Sequence, residues 1–271
     1  MHVRVDNLSF TYGNAIQALR DITLEISKGE HVALIGHNGS GKSTLVQLLN
    51  GLLKPSAGKV WIGDSDTSIV PAADLAHKVA LLFQNPDNQI CKRTVWDEVE
   101  FGPKNLGYSD QTCESLVKDA LELFELTAFK HDNPLDFGYS ERKRIAMASI
   151  VAMDTPVLVL DEPTAGLDPY EISLLIAALN KVKSANKTVI VISHDMDFVA
   201  ENFTRATTLD NGRKVFDGSV HNLFKKQELM NNCGMQQPQV MKLCNALAMN
   251  CVALTPSECV AELKAYYNLI F

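Results

Sequence analysis

The sequence predicts an α/β fold: a mixed sheet joined by an antiparallel β subdomain, a helical insert and a small C-terminal appendage. Three observations carry this reading. Val32-Ala33-Leu34-Ile35, Val79-Ala80-Leu81-Leu82-Phe83, Val157-Leu158-Val159-Leu160 and Val189-Ile190-Val191-Ile192 are aliphatic without alternation, as strands covered on both faces are. Helical periodicity separates several of these runs, and strands alternating with helices indicate a parallel sheet. The first run leads directly into a glycine-rich stretch and then a helical one, the strand–loop–helix order of a phosphate-binding turn.

Taken in chain order, residues 3–10 and 19–26 read as strands separated by Gly13-Asn14, and Lys28-Gly29-Glu30 turns the chain toward the strand at 32–35. A helix is expected through Leu45, Val46, Leu48 and Leu49, with Gly51 as its stop. Val60-Trp61-Ile62 follows Gly58 as another strand. Residues 85–134 change character: polar turns alternate with helical spacing at Leu116, Val117, Ala120, Leu121, Leu123 and Phe124, so a helical part is expected over about 85–150. Helical spacing returns between Ile172 and Val182. After Gly218 the chain becomes helical and polar. A last helix opens at Thr255-Pro256-Ser257-Glu258, with either Thr255 or Ser257 as its cap. The expected division is a main domain over 1–221 and an appendage over 222–271.

Composition bounds the function. A chain of 271 residues supports a substantial core, and its 46% hydrophobic content is ordinary for a globular protein. The net charge of −7 argues against general nucleic-acid binding. No apolar run reaches the ~18 residues that span a bilayer. The N-terminus, Met1-His2-Val3-Arg4-Val5-Asp6, lacks a secretory apolar stretch, so a cytoplasmic location is expected. Cys91, Cys113, Cys233, Cys244, Cys251 and Cys259 show no zinc spacing and read as reduced thiols.

The chemistry concentrates at four places. Gly36-His37-Asn38-Gly39-Ser40-Gly41-Lys42-Ser43, followed by Thr44, has the spacing G-x-x-x-x-G-K-[ST]. Its glycines let successive N–H groups turn inward on phosphate oxygens, and the following helix N-terminus adds positive potential. Lys42 is placed to reach the β- and γ-phosphates of a nucleotide, and the Ser43 hydroxyl to ligate Mg²⁺. Asp161-Glu162 ends a buried strand, where an open sheet binds ligands: Asp161 is placed to hold Mg²⁺, directly or through water, and Glu162 to act as general base or water-positioner. His194 follows the strand at 189–192 and is a candidate to touch the γ-phosphate or the water. Gln84 follows the strand at 79–83, and its amide oxygen is a candidate for Mg²⁺ or the water.

These residues carry a resemblance. Gly36 to Thr44, Gln84, Leu160-Asp161-Glu162-Pro163, Ala165-Gly166-Leu167-Asp168 and His194 occur in the order of the ATP-binding-cassette ATPases, a branch of the P-loop NTPase-like folds. The stretches Phe83-Gln84-Asn85-Pro86-Asp87-Asn88-Gln89 and Phe101-Gly102-Pro103-Lys104-Asn105-Leu106-Gly107 resemble the ATPase subunits of energy-coupling-factor transporters, which import vitamins and transition-metal ions. The resemblance implies ATP and Mg²⁺ as ligands and a peripheral place on the cytoplasmic face of the cell membrane. It implies Tyr12 stacked on adenine, Asp168 in a loop that crosses to a second ATPase subunit, an integral membrane partner docked near residues 84–107, and dimerisation through 222–271. The rival expectations are a soluble family member acting on a ribosome or DNA, and a low-turnover regulatory module.

One segment departs from the family pattern. Where a Leu-Ser-Gly-Gly-Gln pentapeptide is expected to bind the partner's nucleotide, this chain has Phe137-Gly138-Tyr139-Ser140-Glu141. Gly138 takes the serine position, and Tyr139 and Ser140 take the two glycines. Either Ser140 acts in a shifted geometry, or the chain is half of a heterodimer with one weak site, or both sites of a dimer are slow. The heterodimer is the favoured expectation, with a homodimer as the other arrangement. Gly138 and Ser140 are then the residues offered to the partner's ATP.

Overall fold

The computed structural model describes residues 1–13, 15–247, 249 and 253–267. Asn14, Cys251 and the end of the expected appendage lie outside them. The elements in order are β1 (Val3–Thr11), β2 (Gln17–Ile26), β3 (His31–Ile35), α1 (Lys42–Leu49), β4 (Ala57–Ile62), β5 (Ser65–Asp66), α2 (Ala72–Leu75) and β6 (Val79–Leu82). There follow α3 (Val95–Asn105), α4 (Asp110–Leu123), α5 (Tyr139–Ala152), β7 (Val157–Asp161), α6 (Pro169–Ser184), β8 (Thr188–Ile192) and α7 (Met196–Asn202). The chain continues through β9 (Arg205–Asp210), β10 (Arg213–Ser219), α8 (Val220–Phe224), α9 (Gln227–Asn232), α10 (Gln239–Ala246) and α11 (Pro256–Tyr267).

Two sheets form. The antiparallel one runs β2-β1-β4-β5, and the central one β10-β9-β3-β8-β7-β6. In the central sheet β9, β3, β8, β7 and β6 are mutually parallel, and β10 closes the edge antiparallel to β9.

The aliphatic runs are explained by their two faces. Ala33, Ile35, Leu158, Leu160, Val189 and Val191 point into one core, with α3 to α6 packed against it. Val32, Leu34, Val157, Val159, Ile190 and Ile192 point into the other, beneath α1 and the antiparallel sheet. With period two and both faces dry, every position must be apolar.

Polar side chains set the helix starts. Thr94 accepts from the Asp97 N–H, Ser109 from Thr112, Asp195 from Phe198 and Ser219 from Asn222, so α3, α4, α7 and α8 each begin on a side-chain cap. Asp168 and Glu171 form a capping box at α6. The other Glu171 oxygen lies 3.2 Å from Arg144 on α5, tying the helical part to α6 across a nearly dry contact. At α11 the Thr255 hydroxyl accepts from the Glu258 N–H (3.2 Å), which makes Thr255 rather than Ser257 the cap.

Three strands, the two-residue β5 and the longer β9 and β10, stand where sequence reading placed none. Thr207 and Thr208 are fully buried, so β9 fills a core position with threonines. The segment after residue 221 shares the main core through Leu223, Phe224, Met230, Cys233, Met235, Met241 and Leu254. Cys244, Met249, Ala253 and Cys259 close a separate small cluster. Cys113, Cys233, Cys244 and Cys259 are buried free thiols, and Cys91 is an exposed one.

Candidate active site

The loop between β3 and α1 curls because its glycines permit it. Gly36 has φ +146, and a Cβ there would fall 2.1 Å from the Leu209 carbonyl oxygen. Gly41 has φ +105, and a Cβ would fall 2.6 Å from the Leu19 side chain and 2.8 Å from the Ala18 oxygen. L-residues are disfavoured at both on dihedral and steric grounds. The turn between β9 and β10 locks the loop from behind: the Gly212 N–H donates to the Ser40 carbonyl (3.1 Å) and the Arg20 N–H to the Gly212 carbonyl (2.7 Å). His37 Nε2 meets Asp210 Oδ1 at 2.9 Å and adds a side-chain latch.

The loop, the ends of β6, β7 and β8, and the start of β2 enclose a cavity of about 390 Å³. Lys42 reaches along the loop and donates to the carbonyls of Gly36 (2.6 Å) and His37 (2.9 Å). Of its three N–H bonds, one is left to point elsewhere. Burial pulls its pKa down, against the opposing pull of Glu162 and Asp161. The Ser43 hydroxyl donates to Asp161 Oδ2 at 3.0 Å, a pair of hard oxygen donors of the kind a small divalent cation takes. Burial raises the Asp161 carboxyl despite that hydrogen bond and the nearby Lys42.

Glu162 is held in an unusual way. Its backbone is left-handed (φ +50), a conformation worth roughly 1–2 kcal/mol of strain for a residue with a Cβ. Its N–H donates to the Ile192 carbonyl (2.9 Å), and its Oε2 accepts the His194 N–H (3.2 Å). The other oxygen, Oε1, is buried with no hydrogen bond of adequate geometry, though His194 Nε2 stands 3.3 Å from it. Burial raises the Glu162 pKa to about 7, with the neighbouring Asp161 adding to the rise while the His194 N–H, Lys42 and Lys143 oppose it. Burial, helped by Lys42 and His37, lowers that of His194. A desolvated carboxyl with an unused acceptor and a pKa near neutrality is what proton abstraction from water requires.

Other expected residues sort by position. Tyr12, Asn38, Gly39, Gly41, Thr44 and Gln84 line the cavity with Lys42, Ser43, Asp161, Glu162 and His194. Tyr12 stands at its mouth, with its hydroxyl 3.1 Å from Thr44 Oγ1 and its ring edge-on to Phe10. Ser40 is fully buried under the loop, its hydroxyl without a partner. Gly138, Ser140 and Asp168 are not brought to this cavity: Gly138 precedes α5, the Ser140 hydroxyl donates to Glu141 Oε2 (3.3 Å), and Asp168 caps α6.

Sequence reasoning missed Lys143. It is fully buried, donates to the Gln84 carbonyl at 2.7 Å, and is pulled down to about pKa 8 by burial although Asp161 and Glu162 hold it up. The signal was present: Lys143, Ala146, Met147 and Ile150 occupy i, i+3, i+4 and i+7, the inward stripe of α5. Ala18, Arg20 and Asn211, which also line the cavity, were missed as well.

A glycine cradle opening on a lysine, a Ser–Asp oxygen pair and a desolvated glutamate define a nucleoside-triphosphate hydrolase of the ATP-binding-cassette class. Comparison with known proteins agrees: the family model described as ABC transporter matches residues 19–165, and the chain belongs to that family. Among its relatives, the energy-coupling factor transporter ATP-binding protein EcfA2 of Clostridium tetani is 36% identical over 256 residues, covering 91% of this chain and 89% of its own length. EcfA2 of Clostridium perfringens is 37% identical, covering 91% of this chain and 90% of its own. The solved structure of cbiO1 from Clostridium perfringens, described as part of the ABC transporter complex cbiONQ, superposes with a TM-score of 0.75 at 29% identity over 91% of this chain and 98% of its own. A dimeric cassette, MJ0796, in a post-hydrolysis state bound to ADP and Pi, gives 0.74 at 27% identity, covering 80% of this chain and 98% of its own. The chain is an ATP-binding, ATP-hydrolysing cassette.

Proposed function

We propose that this chain is the ATPase subunit of an energy-coupling-factor type importer for a micronutrient, a vitamin or a transition-metal ion. In this reading it works as a dimer with a second ATPase subunit, against an integral membrane partner at the cytoplasmic face. The observation that supports it is the convergence of Lys42, the Ser43–Asp161 pair, Gln84 and the strained Glu162 on one cavity, in a chain whose EcfA2 relatives align over nine-tenths of its length.

Lys42 and the loop N–H groups receive the phosphates and offset their charge. Ser43, Asp161 and Gln84 are the residues that would hold Mg²⁺, which when bound neutralises charge on the phosphate oxygens. Glu162 accepts a proton from the attacking water through its free oxygen, and His194 keeps that carboxylate oriented. Low solvent access raises the worth of each of these interactions.

A second cavity, of about 480 Å³, adjoins the Gln84 segment and is lined by Leu52, Leu81, Phe83, Phe101, Gly102 and Met153. Leu52 and Phe101 are exposed there. An apolar groove beside residues 84–107 suits a short helix of a membrane subunit. Among the described residues no helix is long and apolar enough to cross a membrane; in this reading a partner supplies the span.

The first turn of α5 supports an asymmetric dimer. A Cβ on Gly138 would fall 2.7 Å from Glu141 Oε2, so this helix start carries its own carboxylate. A negative charge there opposes the approach of a partner's phosphate to the same helix start. In the proposed heterodimer the partner serves the Lys42 site well, while Gly138 and Ser140 serve the partner's ATP weakly. Asp168 faces the partner and the segment 222–271 helps join the two subunits. Purification through a tag on this chain tests the assignment. An integral membrane protein and a second cassette are expected to accompany it in stoichiometric amounts. Recovery of ribosomes or DNA in their place would contradict it.

A further inference from the structure

Gln84 lines the cavity, and its backbone is held by α5. Its carbonyl accepts two hydrogen bonds, from Lys143 Nζ (2.7 Å) and from the Tyr139 hydroxyl (3.2 Å), both on α5. The flanking residues are strapped to the same helix. The Phe83 N–H donates to Gln89 Oε1, and Gln89 Nε2 donates to the Ala146 carbonyl and to Ser149 Oγ, both at 3.0 Å. Asp87 pairs with Arg142 at 3.0 Å.

Tyr139 makes a second contact that Lys143 does not. Gly166, on the loop leading from Glu162 to Asp168, has φ +79, and a Cβ there would fall 2.6 Å from the Tyr139 ring. One side chain therefore touches both the Gln84 segment and the loop that follows Glu162. It stands at a position where the family pattern has glycine, which has no side chain to do this.

We propose that Tyr139 is a positioning residue for ATP hydrolysis: its hydroxyl, with Lys143, clamps the Gln84 carbonyl while its ring packs on Gly166, holding Gln84 and the loop after Glu162 in register across the cavity. The inference rests on the reading of that cavity as the hydrolytic site. It assigns the altered first turn of α5 a task inside its own chain, separate from any service to a partner's nucleotide. The aromatic ring supplies rigid area with two torsions, and the hydroxyl supplies direction.

The test is a double-mutant cycle in the assembled complex purified through a tag on this chain, with Tyr139→Phe, Gln84→Ala and the pair. Tyr139→Phe keeps the ring on Gly166 and removes only the hydrogen bond, so its melting temperature should match wild type. It is expected to lower kcat about three- to tenfold, the worth of one such bond, with the KM for ATP unchanged. In the Gln84→Ala background the same change is expected to have no further effect, because Tyr139 acts through Gln84. An unchanged kcat for Tyr139→Phe, a loss seen only in KM, or a loss that adds in full to that of Gln84→Ala would each overturn the clamp. A wild-type complex that hydrolyses nothing would sink the reading of the cavity, and the clamp with it, and that outcome is distinct from the other three.

Discussion

Glu162 is the residue on which most of the proposed chemistry turns. Its burial has a thermodynamic signature in the metal-free protein. The folded-state pKa of about 7 lies above the ordinary value of 4.5, so folding favours the protonated carboxyl. Stability from this group is fully present below about pH 4.5 and is lost as pH rises through about 7. Glu162→Gln has no charge to desolvate. The variant is therefore expected to gain stability over wild type progressively across that window, by up to roughly 3 kcal/mol at pH 8. Urea midpoints in chelator at a series of pH values measure it. A constant difference between the two proteins would show that the carboxyl is not desolvated. Lys143 belongs to the same scale: read as one of three basic residues in Arg142-Lys143-Arg144 it looks like a solvated face, yet its register on α5 puts it inside.

At the scale of elements, the phosphate loop depends on backbone that only glycine adopts. Gly41→Ala introduces a Cβ against Leu19 and Ala18 at φ +105, and is expected to destabilise by more than about 1 kcal/mol and to abolish nucleotide binding. Thermal melting and binding of a fluorescent ATP analogue report the two effects. The buried strands were legible because β3, β6, β7 and β8 present alternate residues to two dry cores, which leaves no room for a polar position. Strands β9 and β10 were not. Thr207 and Thr208 supply buried hydroxyls, and Arg205, paired with Glu30 at 2.9 Å and Asp217 at 2.9 Å, looks in sequence like a solvated charge. Those strands matter to the site, because their turn at Gly212 backs the phosphate loop. The spacing singled out Lys42, Ser43, Gln84, Asp161, Glu162 and His194, and these line one cavity. What spacing cannot show is tertiary: the left-handed turn at Glu162, its buried oxygen without a hydrogen bond, and the strapping of the Gln84 segment to α5.

At the scale of the molecule, the proposed importer requires ATP hydrolysis to reach a membrane partner, and the groove beside the Gln84 segment is the surface proposed to receive it. Phe101→Asp places a charge on its exposed ring position. It is expected to abolish co-purification of the membrane subunit while leaving nucleotide binding by the folded chain unchanged, since Phe101 lies outside the nucleotide cavity. Persistence of the complex would place the docking surface elsewhere. The altered first turn of α5 predicts asymmetry between the two composite sites. Removing the carboxylate by Glu141→Gln is expected to increase nucleotide retained at the partner's site by several-fold, consistent with about 0.3–1 kcal/mol for a charge at a helix N-terminus. Counting ADP and ATP trapped per dimer after rapid gel filtration reads this directly.

The sharpest measurement is phosphate release by the intact assembly supplied with Mg-ATP, wild type beside Glu162→Gln and Lys42→Ala. Wild type is expected to turn over. Glu162→Gln is expected to hold nucleotide while its release of phosphate falls by about 10²–10⁴-fold, and Lys42→Ala to lose both binding and turnover. Phosphate release by Glu162→Gln at the wild-type rate would contradict the central assignment.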